Sequence, residues 1–327
     1  MSPSRILLTG GTGFFGRALL RAWMAASRTG ASVPSVMVLT RSPVAFLERH
    51  PEFSNLPWLE LHVGDVCVAD TLPKRGAISH ILHAATDSTL GPRLTPLQRY
   101  TQIVDGTRNL LEFAVTRGVQ RFLLTSSGAI YGPQPADIER IPEDWPGSPS
   151  LLVPSNAYGM AKRTAEHLCA LYRDAYGLEP VIARCFAFVG RDLPVNVHFA
   201  IGNFIRDALH ADAIEVAGDG TPLRTYLDQD DLAHWLATLL DDGRAGEPYN
   251  VGSDEVVSIA DLAKLVRDVL APHKEVLIHG RQGDAAGRNR YVPDIRKVTE
   301  ELGLGVRVPL AEAIRRAGEF HRMAGSA

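Results

Sequence analysis

The chain has 327 residues, enough to bury one large α/β core or one core with a smaller lobe, and this excludes global disorder. Its 34 basic and 37 acidic side chains leave a formal charge of −3, so no positive excess points to nucleic acid or an anionic membrane as a partner. The three cysteines, Cys67, Cys169 and Cys185, stand apart in sequence. They offer neither a disulfide framework nor a CxxC metal site, and they are expected to be small buried hydrophobes in a reducing compartment.

From the start of the chain, Met1-Ser2-Pro3-Ser4-Arg5 runs directly into Ile6-Leu7-Leu8, too short an apolar run for a signal peptide or a membrane span. The expected compartment is the cytoplasm. Further apolar runs follow at Val36 to Leu39, Ile78 to Leu82, Phe122 to Leu124 and Val181 to Ala183, with amphipathic stretches at Phe15 to Ala26, Leu94 to Thr116 and Ala157 to Tyr176 between them. Non-alternating apolar runs separated by helical stretches predict an α/β fold, a doubly wound parallel sheet covered on both faces.

After about residue 190 glycine and proline become frequent, and the expected division is residues 1–185 for the Rossmann domain and 186–327 for a smaller C-terminal α/β substrate-binding lobe. Segments around 228–255, including Tyr249-Asn250-Val251, are expected to return to the first domain. Ser258-Ile259-Ala260-Asp261 predicts a capped helix through Leu270.

The first strand is followed at once by Gly10-Gly11-Thr12-Gly13-Phe14-Phe15-Gly16. Glycines at 10, 13 and 16 permit a tight turn, close approach of backbone to a pyrophosphate, and close helix-to-strand packing. The helix start at Phe14 and Phe15 adds N–H groups and positive potential for phosphates. The implied ligand is a nicotinamide dinucleotide.

At the end of the second strand, where an NAD site would carry an acid for the ribose, the chain reads Thr40-Arg41-Ser42. Two hydroxyls and a guanidinium suit a 2′-phosphate, which favours NADP and leaves the cofactor as NAD or NADP. Asp65 and Val66 after the third strand, Ala84 and Ala85 after the fourth, and Thr125 in the fifth complete the expected cofactor set at the strand C-terminal edge, with Thr86 beside them on the substrate side.

Tyr158 and Lys162, four residues apart on a predicted helix, share one face. An ammonium near a phenol favours the phenolate, and this makes Tyr158 an acid or base usable near neutral pH. Thr125-Ser126-Ser127-Gly128-Ala129-Ile130-Tyr131-Gly132 closes the fifth strand and supplies a hydroxyl for the oxygen of a carbon being oxidised. The eleven histidines show no HExxH or paired-ligand spacing, so no metal is expected.

TGGTGFFG, TSSGAIYG, YGMAK, GDGTPLRTYLDQDDLA and YNVGS occur in that order over essentially the whole chain. In this it resembles the extended short-chain dehydrogenases/reductases of the nucleotide-sugar epimerase/dehydratase family. The resemblance implies Ser127 as the catalytic hydroxyl, Tyr158 as acid/base and Lys162, also in contact with the cofactor, as holder of the nicotinamide ribose. It implies Arg224 and Arg281 as grips for the diphosphate of a nucleotide sugar, and a homodimer formed through the helices around 94–116 and 157–176.

The chain departs from the family pattern in three places. Gly128 and Ala129 replace the Asp-Glu pair of the family's 4,6-dehydratases, which removes the acid that would protonate a departing hydroxyl. Ile103 and Ala187 stand where the family commonly has Asn, and His198 and Asn203 are the candidates to compensate. The leading expectation is therefore a 4-epimerase acting through a 4-keto intermediate. An NADPH-dependent 4-ketosugar reductase is the alternative; a 4,6-dehydratase or a non-catalytic dinucleotide-binding protein ranks behind it.

Overall fold

A computed structural model describes residues 4–86, 94–197, 199–280 and 290–325. The chain forms two compact units. The first comprises residues 1–130, 149–184 and 233–249, and the second comprises 131–148, 185–232 and 250–327.

In the first unit β1 (Arg5–Thr9) leads through α1 (Phe14–Arg28) to β2 (Ser35–Thr40), and α2 (Pro43–Arg49) leads to β3 (Leu59–Val63). Then come β4 (His80–His83), α3 (Pro96–Arg117), β5 (Arg121–Ser127), α4 (Ala157–Tyr176) and β6 (Glu179–Cys185). The fourth strand begins at His80, two residues later than its apolar run suggested.

The buried face of α1 is Ala18, Leu19, Leu20, Trp23 and Met24, the i, i+4 spacing of an amphipathic helix. Burial of a side chain such as Leu19 or Leu20 contributes roughly 1.5–3 kcal/mol. A capping box between Thr95 and Gln98 opens α3, and Gly118, at φ 63°, closes it in the left-handed region.

Seven strands form the main sheet in the order β3, β2, β1, β4, β5, β6 and β11 (Pro248–Val251), so the segment containing Tyr249-Asn250-Val251 does join the sheet, at its edge. β1 pairs in parallel with both β2 and β4, so the strand order reverses there and opens a crevice at the C-terminal ends. Leu7, Ile81, Phe122, Leu124, Leu110, Leu111 and Ala161 lie in one core between the sheet and α3 and α4.

Cys169 and Cys185 are buried as expected, but Cys67 is only half-buried. Its thiol faces the Gln102 carbonyl at 3.6 Å and is pushed up to about 11 by burial and by Asp65, away from the range of a reactive thiolate.

The second unit carries β7 (Phe188–Val189), α5 (Ala200–His210), β8 (Ala213–Val216), β9 (Leu223–Arg224) and β10 (Leu227–Asp228), which runs into α6 (Gln229–Asp242). Beyond β11 follow β12 (Val257–Ser258), α7 (Ile259–Leu270), β13 (Glu275–Ile278), β14 (Arg290–Tyr291), α8 (Arg296–Leu302) and α9 (Leu310–Gly325). Ser258 caps α7 by accepting from the Asp261 N–H. Its short sheets are β7 with β10, β8 with β13, and β9 between β12 and β14. Among the described residues no helix is long and apolar enough to cross a membrane.

Candidate active site

The turn after β1 is shaped by what its glycines would strike if they had side chains. Gly10 sits at φ 71°, and a Cβ there would lie 2.3 Å from the Ala84 carbonyl oxygen. A Cβ on Gly16 would lie 2.2 Å from Gly11 Cα, so this residue brings α1 against the turn. Gly13, by contrast, meets only its own turn's Gly10 oxygen at 3.3 Å, and no side chain caps the helix it opens. Phe14 and Phe15 form the first residues of that helix, their rings 5.9 Å apart. Backbone thus lines the crevice between β1 and β4, which fits a dinucleotide pyrophosphate.

At the neighbouring strand end, Thr40 is buried and its hydroxyl accepts from the Ser42 N–H, whereas Arg41 and Ser42 are exposed. Asp65 is half-buried and accepts from the Cys67 N–H at 2.9 Å, a local turn bond that leaves its second oxygen for other partners. Val66 is buried, and Ala84 and Ala85 are half-buried against the end of β1.

The helix α4 brings the other sequence candidates together. Lys162 is 3% exposed, a burial that an ammonium tolerates only with partners. It donates to the Thr86 hydroxyl at 2.8 Å and to the Thr125 carbonyl at 2.7 Å. Thr86, expected on the substrate side, therefore has its hydroxyl engaged by Lys162, and it braces the lysine. Thr125 donates in turn to the His83 carbonyl at 3.0 Å. Ser127 is buried at the end of β5, where its oxygen accepts from the Ala129 N–H at 3.1 Å.

Several contributors to this geometry are silent in the sequence. Gly159 follows Tyr158, and a Cβ there would stand 2.6 Å from the Ala129 carbonyl oxygen, so its missing side chain lets α4 press onto the turn that carries Ser127. One turn beyond Lys162, Glu166 accepts from the Ser126 hydroxyl and pairs with Arg184 at 2.8 Å. This partly buried bidentate pair holds α4 to β5 and β6.

Behind them, His83 is fully buried between two threonines: Nδ1 lies 2.8 Å from Thr9 Oγ1 and Nε2 lies 3.2 Å from Thr107 Oγ1. Thr107 donates to the Ile103 carbonyl, so its oxygen accepts from His83 Nε2–H; Thr9 accepts from the Ala85 N–H and gives its own proton to Nδ1. The ring is therefore neutral, and burial followed by the Lys162 charge lowers its pKa from 6.5 to about 3.

Other candidates fall in the second unit. Asn203, on α5, accepts from Arg206 at 3.3 Å, and Arg224, on β9, donates to the Leu223 carbonyl at 2.7 Å. Ala187 supplies a carbonyl to the Leu227 N–H. His198 and Arg281 lie outside the described residues.

A glycine turn at the switch point of a doubly wound sheet, with Lys162 and Ser127 at the same strand edge and Tyr158 one turn before Lys162 on α4, defines an oxidoreductase-type enzyme of the extended short-chain dehydrogenase/reductase plan. Residues 6–252 match the NAD dependent epimerase/dehydratase family, and the chain belongs to it.

Among its relatives, UDP-glucuronic acid decarboxylase 1 of Danio rerio is 28% identical over 317 residues, covering 97% of this chain and 72% of that protein. UDP-glucuronic acid decarboxylase 6 of Arabidopsis thaliana is 29% identical, with 98% and 90% covered. Among solved structures, a dTDP-glucose 4,6-dehydratase from Streptomyces venezuelae with NAD bound superposes with a TM-score of 0.83 at 26% identity, covering 98% of each chain.

Proposed function

We propose that this chain is an NAD(P)-dependent nucleotide-sugar 4-epimerase. The observation that carries the reading is α4, bearing Tyr158 and Lys162, set against the strand end of Ser127, Gly128 and Ala129 through Gly159 and the Lys162–Thr125 bond, with no carboxylate for elimination on that turn. Tyr158 takes the proton of the sugar C4 hydroxyl while Ser127 hydrogen-bonds the same oxygen. Lys162, fixed by Thr86 and Thr125, presents its charge to Tyr158 and to the ribose of the cofactor. The bound nicotinamide supplies the hydride acceptor and, on return, the donor. After the 4-keto sugar turns over, Tyr158 gives the proton back and no net redox change remains. Arg224, Arg281, Asn203 and His198 are proposed to hold the nucleotide diphosphate end, and Arg41 with Ser42 to admit the 2′-phosphate of NADP.

The relatives favour a second reading. A sugar bearing a carboxylate on C5, once oxidised at C4, is a β-keto acid: its C5–carboxylate bond breaks to release CO2, the enolate left behind takes a proton at C5, and the C4 ketone would then take back the hydride held by the cofactor. Tyr158, Lys162 and Ser127 would perform the same first step.

Both readings are tested by incubating the purified protein with UDP-, dTDP-, GDP-, CDP- and ADP-sugars, including uronic acids and 4-keto forms, and following products by NMR. Inversion at C4 without net consumption of cofactor supports the epimerase, and release of CO2 supports the second reading. Consumption of one NADPH per 4-keto sugar would instead mark a reductase. Tyr158→Phe lowers kcat by about 10²- to 10⁴-fold on any accepted substrate, and an unchanged rate would overturn the mechanism. We also propose a homodimer through α3 and α4, whose Leu97, Leu171 and Tyr176 are exposed; light scattering on the purified protein checks it.

A further inference from the structure

The acid/base tyrosine has a cationic neighbour outside the Tyr-Lys-Ser set. The guanidinium of Arg99, in the first turn of α3, lies over the Tyr158 ring with its carbon 4.5 Å from the ring centroid. Three features make this an expensive position for an arginine. A cation in the first turn of a helix opposes the macrodipole. Its Nε is buried and has no hydrogen-bond partner among the described residues. No carboxylate among the described residues pairs with it, whereas Asp105, further along the same helix, is matched with Arg108 at 3.7 Å. The Tyr158 ring face is the contact that offsets these costs, and the attraction grows as the ring gains electron density, as it does when the phenol ionises.

We infer that Arg99 is a positioning residue for the proposed acid/base step, holding the Tyr158 ring face-on and favouring its phenolate together with Lys162. The inference rests on the proposed role of Tyr158.

Among the described residues, several ionisable groups on the surrounding elements are engaged elsewhere. On α3, Tyr100 is engaged with the Thr164 hydroxyl at 3.1 Å, and Glu112 faces Tyr172 more than three turns from Arg99. On α4, Arg163 donates to the Ile130 carbonyl, and Glu166 is tied to Arg184 and Ser126. The end of β5 offers the hydroxyls of Ser126 and Ser127. Behind the site His83 is neutral. Lys162 approaches along α4, one turn from Tyr158, whereas Arg99 approaches across the ring face from α3.

The test titrates Tyr158 directly and needs no substrate. The near-ultraviolet phenolate band is followed against pH in the whole protein, and the Tyr158→Phe titration is subtracted to isolate this ring from the other seven tyrosines. Loss of the charge in Arg99→Gln and Arg99→Met is expected to raise the midpoint by about one to two pH units, the shift typical of losing an opposite charge at this range, and Arg99→Lys is expected to restore most of it. On a substrate accepted in the screen, the alkaline-rising limb of kcat moves by the same amount, with a smaller change in KM. Circular dichroism and thermal melts on each variant establish that the fold is retained.

An unmoved midpoint in both neutral variants overturns the inference. So does an equal shift in Arg99→Lys, which would make the contact a matter of shape alone. Absence of turnover on every nucleotide sugar would instead count against the proposed function and leave the titration readable.

Discussion

Two ends of the same sheet edge are built on different principles. Where β4 and β5 end, Lys162, Thr125, His83, Thr9 and Thr107 are buried and joined by hydrogen bonds between residues far apart in the chain. Where β2 ends, Thr40, Arg41 and Ser42 are adjacent, and two of the three are exposed. The first region cannot change one group without orphaning another, so its residues bear on stability and chemistry together. The second can change freely, which suits a device that selects one cofactor from two.

The sharpest way to break this contrast is by acid. Unfolded, His83 titrates near 6.5; folded, it stays neutral down to about 3. Between those values the unfolded chain binds a proton that the folded one refuses. The contribution of His83 is therefore fully present above pH 6.5 and declines as the pH falls toward 3, by roughly 5 kcal/mol for a shift of this size. Denaturant unfolding at stepped pH reads it as the slope of stability against pH. His83→Asn removes close to one proton from that slope over the interval, and equal slopes in the two proteins would show that the buried network does not govern the acid limb.

The next largest effect is steric. Gly159→Ala sets a methyl 2.6 Å from the Ala129 oxygen and 3.0 Å from Pro149 Cγ, and two such contacts oblige the first turn of α4 to lift. The expected cost is about 1–3 kcal/mol of stability, with a fall in kcat of about 10²-fold from misplacing Tyr158. Thermal melts and steady-state rates on the same preparation report both. A variant with normal kcat would show that the approach of α4 to the Ser127 turn is not what aligns the site.

The same contrast explains how much could be read from the chain. Gly10, Gly13 and Gly16, and Tyr158 with Lys162, are local patterns: a turn conformation and a helix repeat both show within a few residues. Thr40-Arg41-Ser42 is legible for the same reason. His83 was not, because its partner Thr9 lies 74 residues away and the register of β1 against β4 is a property of the folded sheet. Arg99 reads in sequence as one more helix cation, and only the packing of α3 on α4 brings it over Tyr158. Thr86 sits at the expected strand edge, but only the structure reveals that Lys162 engages its hydroxyl. The C-terminal lobe was harder still, since its short strands and frequent turns carry little periodicity.

The smallest effect is at the open end. Arg41 is exposed, so Arg41→Ala should change stability by less than about 0.5 kcal/mol. Its charge can act only on a ligand that reaches it. If it meets a 2′-phosphate, the variant weakens NADP by about tenfold, near 1.4 kcal/mol, and leaves NAD where it was, because NAD has a hydroxyl at that position. Titration calorimetry with each dinucleotide gives the two affinities, and their ratio is the quantity at issue. A ratio unchanged by the mutation would mean that cofactor choice is not made at the end of β2. Equal loss for both dinucleotides would place Arg41 against a part they share, as in stacking on adenine, and would make its role affinity without selection.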